Sequence, residues 1–477
     1  MNIMNSKSIM AIIVAVIVIC AGGAAVIFLH DSNNSNDSNT TRTDVRLTIF
    51  GNANGDDYID DSDVKMIEEY LNGNTTLASF PKVSVLTSYG GSSHTARYWA
   101  DADTDGDVDA DDLQIVKNLI NKKAGTKVKF YDVDSLIGTC TYPLTTYAVG
   151  YKSNYEAEMI LGNVSNCKYV CNQVGENGAY APWYKAFNDT GAQCFGSRFT
   201  PDYEVFTKDG NTAPSYMLSG TRAWFDANME TTLSVIGTDV VRLPFWEDTT
   251  TVSGILTLGF LCDKNDAAHA YAEKADKVLD TIQNYVKDIA LEDRPLVFAS
   301  YNGTSISTWH NGIQELIEAA GARTPYDAGF TNGSIDGEGV RVMDPDWIVF
   351  DMYYGLLETN DQSAEYNYIY DQGSSKTRYF NAIAATKAYA DDKVLILGQG
   401  VYMGPASYIG IAYVFNHIYA DAPQFDVSAL LKDYVDTYHP DYSGTDFMSQ
   451  DCFDVNQYDD WMTENVSGYT KVPSAYA

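Results

Sequence analysis

Residues 266–291 read DAAHAYAEKADKVLDTIQNYVKDIAL, and where this stretch falls in the chain decides the fold. Rich in Ala, Lys, Asp and Leu, with Pro295 soon after its end, it is the longest helical pattern in the sequence. Short apolar runs with strand character precede it at Leu144–Val149, Ser215–Leu218 and Asp239–Pro244. A second series follows at Pro295–Ser300, Trp347–Asp351 and Lys393–Gly398. Helical segments separate several of these runs, at Asn154–Leu161, Ile313–Ala320 and Phe380–Ala390. Strands alternating with helices predict an α/β fold with mainly parallel sheet. One long helix between two such series predicts two lobes joined by a stiff connection rather than a flexible hinge.

Further toward the N-terminus, Asp101–Asp112 reads DADTDGDVDADD. Oxygen side chains stand at positions 1, 3, 5, 9 and 12 (Asp101, Asp103, Asp105, Asp109, Asp112). Gly106 is at position 6, and position 7, Asp107, offers its backbone carbonyl. Calcium takes six to eight oxygens, and a loop of this spacing wraps it, with glycine making the sharp turn. A second copy places Asn52, Asn54, Asp56, Asp60 and Asp63 at the same positions with the Tyr58 carbonyl at position 7, but Asp57 replaces the glycine. Each loop runs into an amphipathic helix: Val64, Ile67 and Leu71 after the first, Leu113, Val116, Leu119 and Ile120 after the second. The expectation is two Ca2+ sites in a small all-α module.

The net charge of −33 excludes nucleic acid as a partner and opposes lying on an anionic membrane surface. Ile9–Leu29 is an uncharged run, which as a helix at about 1.5 Å per residue spans a hydrocarbon core of about 30 Å. Lys7 precedes it and no Lys or Arg follows until Arg42, so the rest of the chain is expected outside the cytoplasm. An uncleaved transmembrane helix anchoring the chain at the cell surface is favoured, because Val26–Leu29 continue the span. A cleaved signal peptide and lipidation at Cys20 are the alternatives. Asp31–Thr43 is almost purely Asp, Ser, Asn and Thr and reads as a solvated stalk. Cys140, Cys167, Cys171, Cys194, Cys262 and Cys452 lie beyond it without CxxC or Cys/His metal spacing.

The α/β part resembles the class III periplasmic binding proteins, the substrate-binding components of ABC importers. Gly196-Ser197 with Pro201-Asp202-Tyr203-Glu204 resembles an element of the first lobe. Arg294–Val297 with Glu315–Ala322 resembles the opening strand and helix of the second. Glu338–Phe350, EGVRVMDPDWIVF, then Gly404-Pro405 and Phe425–Tyr438, resemble later elements, so the resemblance covers residues 126–440. It implies two Rossmann-like lobes joined by a long helix and a metal-chelate ligand (ferric siderophore, haem or corrinoid). It also implies docking to an ABC permease through Glu204 and Glu338. The paired loop–helix units at residues 47–123 resemble a type I dockerin, which implies Ca2+-dependent folding and a cohesin-like or other surface partner. Loop positions 10 and 11, Asp61-Ser62 and Ala110-Asp111, depart from the cohesin-choosing Ser-Thr pair, and Phe80–Trp99 is extra length.

Sheets of this class bind ligands at the carboxyl ends of their strands. That rule selects Tyr151, Lys152, Tyr180, Trp183, Arg222, Trp224 and Trp246 from the first lobe. From the second it selects Tyr301, Trp309, His310, Tyr353, Tyr354 and Tyr402. Aromatic faces suit a bulky chelate, and Arg222 is the cation expected to answer its carboxylate or phosphate. The expected divisions are 1–30 anchor, 31–43 stalk, 44–125 calcium module, 126–264 first lobe, 265–292 connecting helix, 293–440 second lobe and 441–477 C-terminal extension. No enzyme signature such as Gly-x-Ser-x-Gly occurs. The expected function is therefore an extracytoplasmic binding protein and not an enzyme, with a dockerin-bearing adhesion or scaffold protein, or a polysaccharide hydrolase, as alternatives.

Overall fold

The computed structural model describes residues 45–174, 191–246, 250–300, 305–306, 312–331, 333–352, 378–444, 452–465, 471 and 473–475. The expected anchor and stalk fall outside them. Among the described residues no helix is long and apolar enough to cross a membrane.

The first lobe is built on a five-stranded, all-parallel sheet. Its strands run in the order Gln193–Cys194, Cys167–Val170, Tyr147–Val149, Tyr216–Ser219, Asp239–Arg242. Tyr147–Val149 and Tyr216–Ser219 are buried at every position, because helices cover both faces of a parallel sheet. The second lobe pairs Val297–Ser300 with Trp347–Met352 and that strand with Val394–Gly398, all parallel. Cys452–Asp454 closes the sheet as an antiparallel edge against Val394–Gly398. The segment expected to be a C-terminal extension therefore completes the second lobe.

The connecting helix runs Asn265–Val286 and buries Ala268, Tyr271, Ala272, Ala275, Val278, Ile282 and Val286, the i, i+3, i+4 stripe of an amphipathic helix. It stops short of the expected Leu291. Arg294 Nε donates to the carbonyl of Ile289 and Nη2 to that of Val286, which satisfies terminal carbonyls from outside the helix. The expected helix over 380–390 is two pieces, Arg378–Ile383 and Lys387–Ala390. Thr386 divides them: its Oγ1 donates to the Ile383 carbonyl and accepts from the Tyr389 N–H, capping the second piece.

The two loop–helix units give helices Asp61–Leu71 and Ala110–Ile120, but the module is not all-α. The extra length between the units forms an antiparallel hairpin, Lys82–Leu86 with His94–Tyr98. Ala53, Ile67, Phe80, Ala100, Ala102, Val108 and Val116 make the module's own core, while Leu71 is exposed. No linker separates module from lobe. A second hairpin, Thr126–Tyr131 with Ile137–Tyr142, joins them. Thr48–Phe50 runs along it: Ile49 bridges Phe130, the Phe50 N–H donates to the Lys129 carbonyl and the Tyr131 N–H to the Thr48 carbonyl. Leu47, Ile49 and Leu119 of the module are buried in the same apolar core as the first lobe.

Candidate ligand site and cation loops

Four loops leave the carboxyl ends of the first-lobe strands and bring together Tyr151, Arg198, Phe225 and Trp246. The Tyr151 ring lies 5.4 Å from that of Trp246 and 6.4 Å from that of Phe225, and Phe225 is 5.9 Å from Trp246. The guanidinium of Arg198 sits over this group, 4.4 Å from the Tyr151 centroid, 5.7 Å from Trp246 and 5.8 Å from Phe225. Its own neighbour Phe199 closes from the outer side at 4.7 Å and is largely exposed. The Phe225 ring packs between Gly150 and Gly220, where an added Cβ would come within 2.8 Å of it, so a side chain at either position would displace the ring.

Among the described residues Arg198 is the only arginine in this box, and its buried Nε and Nη1 have no hydrogen-bond partner there. A guanidinium carries five donors in a planar fork and cannot shed its charge. Unsatisfied buried donors on it therefore call for an anionic acceptor. The second lobe reaches the same place: a Cβ on Gly312 would lie 3.1 Å from the Trp246 carbonyl, and one on Gly404 3.4 Å from that of Phe245. The Trp246 side of the box thus lies at the junction of the lobes.

The sequence-selected residues distribute unevenly around it. Tyr151 and Trp246 are in the box. Tyr402 and Lys152 are buried beside the second- and first-lobe sheets, and Trp224 is half exposed. Tyr180, Trp183, Tyr301, Trp309, His310, Tyr353 and Tyr354 lie outside the described residues. Arg222, the expected ligand cation, is spent elsewhere. Its Nη1 lies 2.8 Å from both Asp132 and Asp134, and Nη2 pairs with Glu230. The nearby Arg242 is bound to Glu230 and to the Gly220 and Asp226 carbonyls. Two of the three acidic partners of Arg222 come from the hairpin turn at 132–136, about ninety residues earlier, which is why the sequence did not reveal them. Arg198 was passed over although it stands between the quoted Gly196-Ser197 and Pro201–Glu204; an arginine followed by an aromatic at a strand's carboxyl end was the available signal.

Glu204 and Glu338 are both exposed. Glu204 is in a short helix capped by Asp202, and Glu338 pairs with Arg341, which holds its carboxyl below the ordinary range. Cys167 and Cys171 are buried free thiols.

The two acidic loops fold their carboxylates inward. In the second loop, Asp112 accepts from the N–H groups of Ala102, Asp103 and Asp109, and Asp101 from that of Gly106. One carboxylate oxygen from each of Asp101, Asp103 and Asp105 lies within 4.8 Å of the others, and the same holds for Asp107, Asp109 and Asp112. Asp101 Oδ1 is buried without a partner, the orphan acceptor a cation would satisfy, so this donor set fits a hard divalent ion. Burial pushes the Asp112 carboxyl up to about 6, and burial with the neighbouring Asp112 pushes Asp101 up to about 7.

The first loop is built alike around Asp63, pushed up by burial to about 6, but two of its donors are amides already engaged within the loop. The left-handed turn at position 4 is shared by Gly55 and Thr104, whereas at position 6 only Gly106 has positive φ. Asp57, standing where that glycine would be, instead turns its carboxylate to Arg46.

No protein-family model matches the chain, and no curated protein matches it. Solved structures do. The TroA-like periplasmic binding protein FepB of Veillonella parvula superposes with a TM-score of 0.50 at 12% identity, covering 65% of this chain and 96% of that one. The molybdate periplasmic binding protein MolA of Haemophilus influenzae gives 0.49 at 14%, covering 65% and 98%. A periplasmic heme binding protein of Pseudomonas aeruginosa gives 0.42 at 17%, covering 59% and 95%. The chain has an α/β fold similar to that of the periplasmic binding proteins.

Proposed function

We propose that the chain is the extracytoplasmic binding component of an ABC importer and that it carries a metal chelate bearing anionic groups. One observation carries this reading: Arg198 offers buried, unpaired donors inside an aromatic box at the junction of two α/β lobes. Rings of Tyr151, Phe225 and Trp246 supply flat apolar faces to an organic ligand, and Arg198 neutralises its carboxylate, phosphate or metal-coordinating oxygen. Ferric siderophores, haem and corrinoids all present such groups. Glu204 and Glu338, exposed one on each lobe, would register the protein on basic residues of the permease. The sequence pattern supports Ca2+ in both loops of the module, bound by Asp101, Asp103, Asp105, Asp109 and Asp112 in the second. Calcium there is structural, since the loops lie in a module continuous with the first lobe.

The test is a visible absorption spectrum of the chain as purified, followed by tryptophan-fluorescence titration with haem, cobalamin, and ferric catecholate and hydroxamate complexes. Saturable quenching by one class supports the proposal; no colour and no quenching by any of them overturns it.

A further inference from the structure

The hairpin that joins module to lobe does more than connect them. On one side it pairs with Thr48–Phe50, two residues before Asn52 opens the first cation loop. The next residue, Gly51, donates its N–H to the Trp99 carbonyl, so the entrances of the two loops are tied together just before Asp101. On its other side the turn at 132–136 grips the loop that leaves the strand Tyr216–Ser219. Asp134 accepts from the Thr221 hydroxyl and from the Arg222 backbone N–H, at 2.9 Å for the latter, as well as from the Arg222 guanidinium. The module's other hairpin adds to this grip: the Leu86 N–H donates to the Ser135 carbonyl, and the Tyr89 ring lies 5.9 Å from the Arg222 guanidinium. Three residues beyond Arg222 stands Phe225, a wall of the Arg198 box.

From this continuity we infer that the Asp134–Arg222 contact couples the cation loops to the ligand-binding wall of the first lobe. Ca2+ occupancy and ligand binding then favour one another. Arg222 is a positioning residue: its side chain holds the 219–226 loop against the module, and that loop holds Phe225 over Gly150 and Gly220. A cation orders the loop entrances at Asn52 and Asp101, hence the 48–50 strand, the 129–131 strand and the turn that follows it. Coupling between binding sites is reciprocal, so a ligand that stacks on Phe225 raises Ca2+ affinity by the factor by which Ca2+ raises its own. The inference rests on the calcium assignment of the loops.

Hydrogen–deuterium exchange on the full chain, in Ca2+ and in EGTA without any chelate ligand, tests it. The expected result is slower exchange in Ca2+ at 45–125 and also at 131–136 and 219–226, by about fivefold or more, the low end of site-to-site coupling. In Arg222→Gln, and independently in Asp134→Asn, protection of 45–125 by Ca2+ persists while that of 219–226 is lost. Protection confined to 45–125 in the unmodified chain overturns the coupling and leaves the calcium assignment standing. No response anywhere overturns the calcium assignment and the coupling with it.

Discussion

Arg46 Nη1 donates to both carboxylate oxygens of Asp276, at 2.7 and 2.8 Å, and so binds the first described residues to the middle of the connecting helix. The same guanidinium pairs with Asp57 of the first acidic loop, and Tyr58 beside it stacks on His269 of the helix at 4.2 Å. The first acidic loop of the module is thus packed against the chain's own connecting helix.

Removing that joint has a definite cost. Arg46→Ala removes the guanidinium that bridges Asp57 and Asp276, both mostly buried, and a loss of about 1–3 kcal/mol in unfolding free energy is expected. Urea denaturation measures it. Limited proteolysis of the variant should cut first within 45–125, and a protease pattern unchanged from the parent chain would count against the joint.

Stability should depend on pH through Glu158. This carboxyl is fully buried, and burial pushes it up to about 7 from 4.5, opposed by the hydroxyl of Tyr216 and the amide of Asn163, which both donate to it. The native state therefore keeps a proton that the unfolded chain gives up, and stability falls as pH rises from about 4.5 to about 7. In Glu158→Gln that part of the fall disappears. Thermal midpoints of both proteins across this range decide the matter; parallel curves would assign the slope to other groups.

Ligand affinity should respond to Arg198 far more than to Arg222's neighbours on the surface. Replacing a charged hydrogen-bond donor costs about 1.5–3 kcal/mol, so Arg198→Gln is expected to weaken an anionic chelate roughly 10- to 150-fold. Trp246→Leu keeps the charge and loses one aromatic face, for a smaller loss of about 0.5–1.5 kcal/mol. Fluorescence titration with the chelate identified by the absorption spectrum reads both; equal affinity of Arg198→Gln and parent would remove Arg198 from the site.

Calcium should stabilise the chain by mass action. At a hundredfold excess over its dissociation constant, one bound ion adds about 2.7 kcal/mol, visible as a higher thermal midpoint in Ca2+ than in EGTA. Asp112→Asn, which weakens the charge set of the second loop, should abolish that loop's share and its terbium luminescence. Unaltered luminescence in this variant would place the ion elsewhere.

Much of the α/β part is legible along the chain. The stripe from Ala268 to Val286 repeats at helical spacing, and the continuous apolar runs at 216–219, 297–300 and 394–398 read as strands because parallel sheets bury both faces. The weaker strands escaped. Cys167–Val170 includes an exposed Lys168, Gln193–Cys194 is only two residues long, and Cys452–Asp454 follows after the last expected lobe boundary. Such short strands are fixed by neighbours distant in sequence and carry little pattern of their own.

By itself the sequence determined the long helix between two strand–helix series and the two acidic loops with their capped helices. These depend on contacts within a few residues: apolar spacing at i, i+3 and i+4, and carboxylates that bond backbone N–H groups two or three residues away. Only the tertiary structure decided which arginine is ion-paired and which keeps buried donors with no partner among the described residues. Arg222 and Arg198 stand in similar loops, but Asp132 and Asp134 reach the first from another part of the chain while the second is enclosed by rings. Ion pairing between remote residues, and not local composition, sets the two arginines apart.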